Sequence, residues 1–231
     1  MNRIVLLSGG MDSATALALA IEGATDVVAL SVQYGSVHEE AEGKAAIEVA
    51  AFYDVPLMSI RLPSNLFSGG SSALLGEQPI PSEEYHDITK ETPSVTVVPF
   101  RNANLISVAV AQAEAHAFDE VWVAVHATDH HGWAYPDCSP EFMGAMSAAV
   151  YIGTMRKVRL VTPFIWDTKA DIVRKGVKLG VPYNLTWSCY RGGEVACGEC
   201  PTCIERLRAF AEAGVEDPIR YIGGNYVHHY P

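Results

Sequence analysis

Two stretches of this 231-residue chain carry residue types whose spacing selects a chemistry. The first is S-G-G-M-D-S at 8–13, that is Ser8, Gly9, Gly10, Met11, Asp12 and Ser13. Two glycines let a backbone adopt positive φ and lie close against a ligand. The helix-forming run A-T-A-L-A-L-A-I follows at 14–21. The unpaired N–H groups of a new helix, and its dipole, therefore face whatever the loop holds, and both favour an anion. Ser8 and Ser13 add hydroxyl donors, which makes the stretch a cradle for phosphate. It lacks the lysine of G-x-x-x-x-G-K-[ST] and is not G-x-G-x-x-G. The plainer alternative is a Ser/Gly turn in which Asp12 only caps the helix.

The second stretch is a cysteine cluster. Cys189, Cys197, Cys200 and Cys203 stand in the pattern C-x7-C-x2-C-x2-C. With no secretory leader in evidence, such density reads as a metal site and not as disulfides. Four thiolates suit tetrahedral Zn²⁺, and a closed four-thiolate site makes the metal structural. An iron–sulfur cluster also takes four thiolates. Gly198 permits a tight turn whose backbone N–H groups bond the sulfurs. Cys138 is left over.

Further candidates lie where the chain changes from apolar to polar. Arg101 and Asn102 stand just before the apolar helix L-I-S-V-A-V-A-Q-A-E-A at 105–115, as anion- and amide-reading groups, with Asn102 or Asn104 as a simple N-cap in the alternative. The strand 119–125 delivers a loop holding His126, Asp129, His130, His131, Tyr135 and Asp137. The histidine spacing is not that of a zinc pair or of two ligands on one helix face. Lys169 falls in the first turn of a helix, where a cation opposes the dipole. It therefore points toward a bound phosphate, or else is a surface lysine. His38 opens a helix near the same strand ends.

The elements that must position these groups follow an α/β pattern. Apolar runs at 4–7, 26–32 and 55–60 alternate with helical segments at 14–21 and about 38–53. Strands at 119–125 and 158–164 continue it, with helices from Ser139 and from Asp167 or Thr168 to Gly180. Alternation of this kind predicts a parallel, Rossmann-like sheet with helices on both faces and ligands at the strand carboxyl ends. Tyr34 and Gly35 end the second strand beside the 8–13 loop. Residues 63–94, rich in Ser, Gly, Pro and Glu, read as a long flexible loop. The expected division is a phosphate-binding domain over 1–183 and a small C-terminal metal module over 184–231.

Composition narrows the partners. The chain is 49% hydrophobic without a run long enough to span a membrane, so a cytoplasmic protein is expected. A net charge of -11 argues against a nucleic-acid surface. Arg156, Lys157, Arg159, Lys169, Arg174, Lys175 and Lys178 form one local basic stretch, read mainly as a solvated face. Phosphates bound here need neutralisation by Mg²⁺ and a few placed cations.

S-G-G-M-D-S after an N-terminal strand resembles the pyrophosphate-binding loop of the ATP pyrophosphatase superfamily. Nearly the whole chain resembles the 7-cyano-7-deazaguanine synthase family within it. The shared stretches are P-F-R-N at 99–102, Y-P-D-C at 135–138, E-F at 141–142, Lys169, S-C-Y at 188–190 and C-G-E-C-P-T-C at 197–203. The resemblance implies a ligase that spends two ATP to convert 7-carboxy-7-deazaguanine and ammonia, through the amide, to the nitrile preQ0. It implies that Ser8, Gly9, Gly10, Met11, Asp12 and Ser13 hold pyrophosphate and Mg²⁺, with the adenine beside Tyr34 and Gly35. Arg101, Asn102, Asp129, Tyr135, Asp137 and Lys169 become contacts to substrate and phosphate, with Asp12, Ser13, Lys169 and Arg101 the catalytic set. Zinc and a homodimer are implied as well. The chain departs from the family at Phe100, where glycine is usual, at Ser36-Val37 in place of Gln-Arg, and in a longer loop from Asp129 to Tyr135. Such departures leave open a divergent member that stops at the amide or couples the activated base to another amine, such as a protein N-terminus.

Overall fold

Four branched or apolar side chains in a row can be buried only if both faces of their strand are covered. The computed structural model, which describes residues 1–63, 65–82, 94–126 and 135–223, meets that condition at β1 (Asn2–Leu6), where Ile4 and Val5 have no exposed surface. β1 is the centre of a five-stranded parallel sheet of order β3-β2-β1-β4-β5. Its partners are β2 (Asp26–Gln33), β3 (Leu57–Arg61), β4 (Glu120–Trp122) and β5 (Arg159–Val161). The register sets Val5 beside Ala29 and Trp122 on one face, and Ile4 beside Val121 on the other.

Each face is closed by helices. α1 (Met11–Ile21), α2 (Glu39–Phe52), α5 (Lys169–Leu179) and α6 (Pro201–Ala213) pack with Val5, and α3 (Arg101–Ala115) and α4 (Pro140–Gly153) with Ile4. The caps follow the local chemistry. Ser139 Oγ accepts the Phe142 N–H at 3.1 Å, Thr168 and Asp171 form a capping box, and Gly180 closes α5 in the left-handed region.

Four expectations change in detail. β4 and β5 pair over only three residues each, although the Val123 N–H still reaches the Val161 carbonyl at 2.9 Å. α3 begins at Arg101 and not at 105, because Phe100 turns into the left-handed region at φ 53° and starts the helix four residues early. Neither Asn102 nor Asn104 is its N-cap. Residues 65–82 form a packed loop, with Phe67, Ala73 and Leu74 buried around a short 3-10 turn; 83–93 lie outside the described residues. Finally, α6 begins inside the cysteine cluster with Pro201 in its first turn, and its Phe210 meets Tyr183 edge-on at 5.1 Å. Among the described residues no helix is long and apolar enough to cross a membrane.

Candidate active site and cysteine centre

The 8–13 loop leaves β1 and enters α1 with the first-turn N–H groups of the helix uncapped. Gly10 is the N-cap of α1 and no side chain caps it, so the first-turn N–H groups remain for a ligand and Asp12 is not a cap. Gly9 lies at φ +85°, and a Cβ there would stand 2.5 Å from the Glu42 carbonyl oxygen and 2.7 Å from the Ala46 nitrogen. The loop thus lies directly on α2. Ser13 Oγ donates to the Gly10 carbonyl at 3.0 Å and lies 3.1 Å from Ser8 Oγ, which ties the two ends of the turn together.

Asp12 rises from this turn toward the end of β4. Its Oδ2 lies 3.7 Å from His126 Nε2, and its Oδ1 is buried without a hydrogen-bond partner. Burial works to raise the carboxyl pKa, yet contact with His126 and the charges of Lys169 and Arg206 hold it below the usual value. An ionised oxygen with no partner at a phosphate loop fits a bound cation.

The loop opens into a cavity of about 250 Å³ at the carboxyl ends of β1, β2 and β4. Tyr34 and Arg101 line it together, with Arg101 Nη1 3.3 Å from the Tyr34 hydroxyl. Burial opposes charge on Arg101, but Tyr34, Tyr190 and Cys138 around it keep the guanidinium firmly protonated. Lys169, at the start of α5, reaches Glu205 Oε2 of α6 at 2.7 Å. Tyr135 lines the cavity and its hydroxyl touches Thr96 Oγ1 and, at 3.4 Å, the Tyr190 hydroxyl.

The other expected site residues take different places. Asn102 lines the cavity, and its side chain donates to the Asp137 carbonyl and to Cys138 Sγ, both at 3.2 Å. Asp137 accepts the Asn102 backbone N–H at 2.9 Å, which satisfies an orphan donor of α3, and it does not line the cavity. Gly35 donates its N–H to Glu39 Oε2 at 2.7 Å. Asp129, with His130 and His131, lies outside the described residues. Phe100 is 64% exposed and packs edge-on against Phe142 at 5.7 Å, away from the cavity wall.

The four cysteines converge as their spacing requires. Their sulfurs all lie within 4.8 Å of one another and all four residues are buried. Backbone N–H groups of Cys197, Glu199 and Cys200 point at the sulfurs of Cys189 and Cys197 at 3.2–3.4 Å, with Gly198 at positive φ in the knuckle. Hydrogen bonding to Cys200 pushes the Cys189 thiol up to about 12, and the same contact pulls Cys200 down. The sulfurs compete for negative charge that a bound cation would stabilise on all four. A tetrahedron with bonds of ~2.3 Å has edges of ~3.8 Å, which this cluster accommodates.

The family follows from comparison of the whole chain. The model of the QueC family, described as queuosine biosynthesis protein QueC, matches residues 2–214. The chain belongs to the QueC family. It is 45% identical over 222 residues to the 7-cyano-7-deazaguanine synthase of Thermoplasma acidophilum, covering 94% of this chain and 91% of that protein. It is also 45% identical to the 7-cyano-7-deazaguanine synthase of Methanoculleus marisnigri, covering 94% and 97%. The chain is an enzyme of this family. Its fold is shared with a predicted subunit of a tRNA methyltransferase from Methanocaldococcus jannaschii, at TM-score 0.50 and 13% identity over 97% of this chain and 93% of that one.

Several wall residues carry no motif signal. Glu205 and Thr202 reach the cavity from α6, an element without a sequence assignment; His126 stands behind the wall, against Asp12. Trp187 lines the cavity, and its backbone N–H donates to the Gly9 carbonyl at 2.9 Å.

Proposed function

We propose that this chain adenylates 7-carboxy-7-deazaguanine with ATP and converts it with ammonia, through the amide, to 7-cyano-7-deazaguanine. The observation that carries this reading is the uncapped 8–13 loop, with the Asp12 carboxylate and Lys169 beside it, in a chain of the QueC family. A carboxylate is a poor electrophile, and transfer of AMP to its oxygen creates a leaving group. The loop N–H groups, Ser8 and Ser13 cradle the departing pyrophosphate, and Lys169, held by Glu205, brings a cation beside it. The amide oxygen then repeats the substitution on a second ATP, and loss of AMP leaves the nitrile.

Mg²⁺ would be held through Asp12, and it neutralises phosphate charge when bound. Zn²⁺ fits the four cysteines in a structural role, and the spread of the sulfurs favours one ion over a larger iron–sulfur cluster. Arg101, Tyr34, Asn102 and Tyr135 form the wall offered to the base and its carboxylate, with adenine at the end of β2 beside Tyr34 and Gly35. Asp129 and Asp137 remain candidate substrate contacts by resemblance. Residues 1–183 carry ATP and substrate, and 184–231 the zinc module. A homodimer working on small molecules without nucleic acid or membrane accords with the family resemblance and the net charge of -11.

Relatives of 45% identity over almost the whole chain carry the synthase name, which favours the nitrile as product over an amide or a protein conjugate. The test is a mass-spectrometric assay with Mg-ATP, 7-carboxy-7-deazaguanine and ammonium, with AMP measured in parallel. Nitrile and AMP are expected from the natural chain and neither from Asp12→Ala. Amide as the end product, or no AMP at all, refutes the proposal.

A further inference from the structure

Ammonia carries three hydrogens and a nitrile nitrogen none, so the proposed conversion must remove three protons from one nitrogen inside the cavity. The obvious bases of the wall are already engaged. Glu205 holds Lys169, Glu39 accepts the Gly35 N–H and pairs with Arg61, and Asp12 stands at the phosphate loop beside His126.

His38 differs. It is 2% exposed, lines the cavity, and occupies the N-cap position of α2 behind the loop. Its Nε2 lies 3.5 Å from Glu42 Oε1, and its Nδ1 is buried without a hydrogen-bond partner. The ring lies against Tyr190, centroids 5.2 Å apart, which holds it from the side of the cysteine module. A carboxylate beside Nε2 keeps the proton on that nitrogen and leaves the lone pair of Nδ1 as an acceptor. A buried ring nitrogen left unpaired costs stability, and such atoms persist where a ligand completes them.

We infer that His38 is the proton acceptor for the carbon–nitrogen chemistry and that Glu42 is its positioning residue; this rests on the function proposed above. In the first half, the ammonia lone pair forms the C–N bond, the C–O bond to AMP breaks with its electrons leaving on AMP, and one N–H proton passes to Nδ1. In the second half, the amide oxygen bonds to phosphorus as pyrophosphate leaves, and a second proton passes from nitrogen. Removal of the last proton sends the N–H electron pair into the C≡N bond as the C–O bond breaks and AMP departs. His38 passes each proton on from Nε2 to the partly exposed Glu42 carboxylate before taking the next.

The experiment compares two readouts on the full chain and on H38N, which offers an acceptor atom but no basicity. Carboxylate-dependent exchange of pyrophosphate into ATP reports the first adenylation, which removes no proton from nitrogen. Mass spectrometry of amide plus nitrile reports the steps that do. In H38N, product formation is expected to fall ~100-fold further than exchange, the usual scale of general-base catalysis. E42Q should shift the same ratio in the same direction by a smaller factor. Equal losses in both readouts, or a product rate within about threefold of the natural chain, overturn the assignment. Where H38N does not fold, as read by circular dichroism, H38Q and E42Q carry the same comparison. A natural chain that makes no nitrile refutes the function itself, whereas nitrile from the natural chain with an unshifted ratio refutes only the role of His38.

Discussion

Gly9→Ala puts the contact between phosphate loop and α2 to a numerical test. Two costs add at this position. Holding an L-residue at φ +85° costs ~1–2 kcal/mol. The new methyl would also stand 2.5 Å from the Glu42 oxygen, 2.7 Å from the Ala46 nitrogen and 2.8 Å from the Ala45 Cβ. Two of these three atoms are helix backbone, which no rotamer change can move, so overpacking adds ~1–3 kcal/mol. The expected loss is therefore ~2–5 kcal/mol, read from urea unfolding, with weaker ATP binding in calorimetry because the loop must lift off α2.

Gly10→Ala is the internal comparison. Gly10 has ordinary φ, and its nearest atoms are Ser8 Oγ at 3.3 Å and the Trp187 carbonyl oxygen at 3.6 Å. Its stability loss should stay within ~1 kcal/mol, the scale of an N-cap change. A Gly9→Ala chain within ~0.5 kcal/mol of the natural one, with ATP affinity unchanged, would refute the close packing of loop on helix.

Three other outcomes follow from single contacts. Arg206 is buried and paired with Asp217 at 2.8 and 3.0 Å; Asp217→Ala should cost ~3–5 kcal/mol in urea unfolding by stranding the guanidinium, and a loss below ~1 kcal/mol would refute the pairing. The chain should bind one zinc ion by elemental analysis and lose it with a lowered melting temperature on chelation, while iron or no metal would overturn the assignment of the cysteine centre. Phe100→Gly relieves a left-handed φ of 53° worth ~1 kcal/mol and forfeits an edge contact with Phe142 worth ~0.5–1.5 kcal/mol. Its stability should change by under ~1 kcal/mol and kcat/KM by less than about threefold, and a larger drop in kcat/KM would place Phe100 in the substrate site.

The parts of this molecule legible in its sequence are those governed by local chemistry. β1 and the loop after it declare themselves because four apolar residues need burial on two faces and two glycines need positive φ or close approach. The cysteines declare themselves because thiolates at such spacing have few other uses. The start of α3 was not legible. An apolar helix pattern begins at 105, whereas the chain starts the helix at Arg101 through a left-handed Phe100 and an N–H bond to Asp137, a residue 35 positions away from Asn102. Asp137 shows the same limit from the other side: an acid in a polar loop looks like a substrate contact until the helix end it satisfies is in view. His38 was visible as a histidine at a helix start, but its pairing with Glu42 and its place against Tyr190 belong to tertiary structure.

The hardest feature to foresee is that residues beside the cysteine centre, Trp187, Ser188, Tyr190 and Thr202, form part of the cavity wall. Trp187 joins the two directly: its backbone N–H holds the Gly9 carbonyl at 2.9 Å and its indole N–H holds the Cys189 carbonyl at the same distance. Thr202 ties Cys200 to Ser188, and Arg206 binds Ser188, Thr186 and the Tyr183 carbonyl from the helix that starts at the cluster. That helix also carries Glu205, the partner of Lys169. A metal gathering these four thiols would therefore fix the direction of α6, and with it the counter-ion of Lys169 and the outer support of the phosphate loop. The four cysteines have no open coordination position with which to do chemistry. With a metal bound, their contribution would be to hold still, from outside, a loop whose two glycines leave it little stiffness of its own.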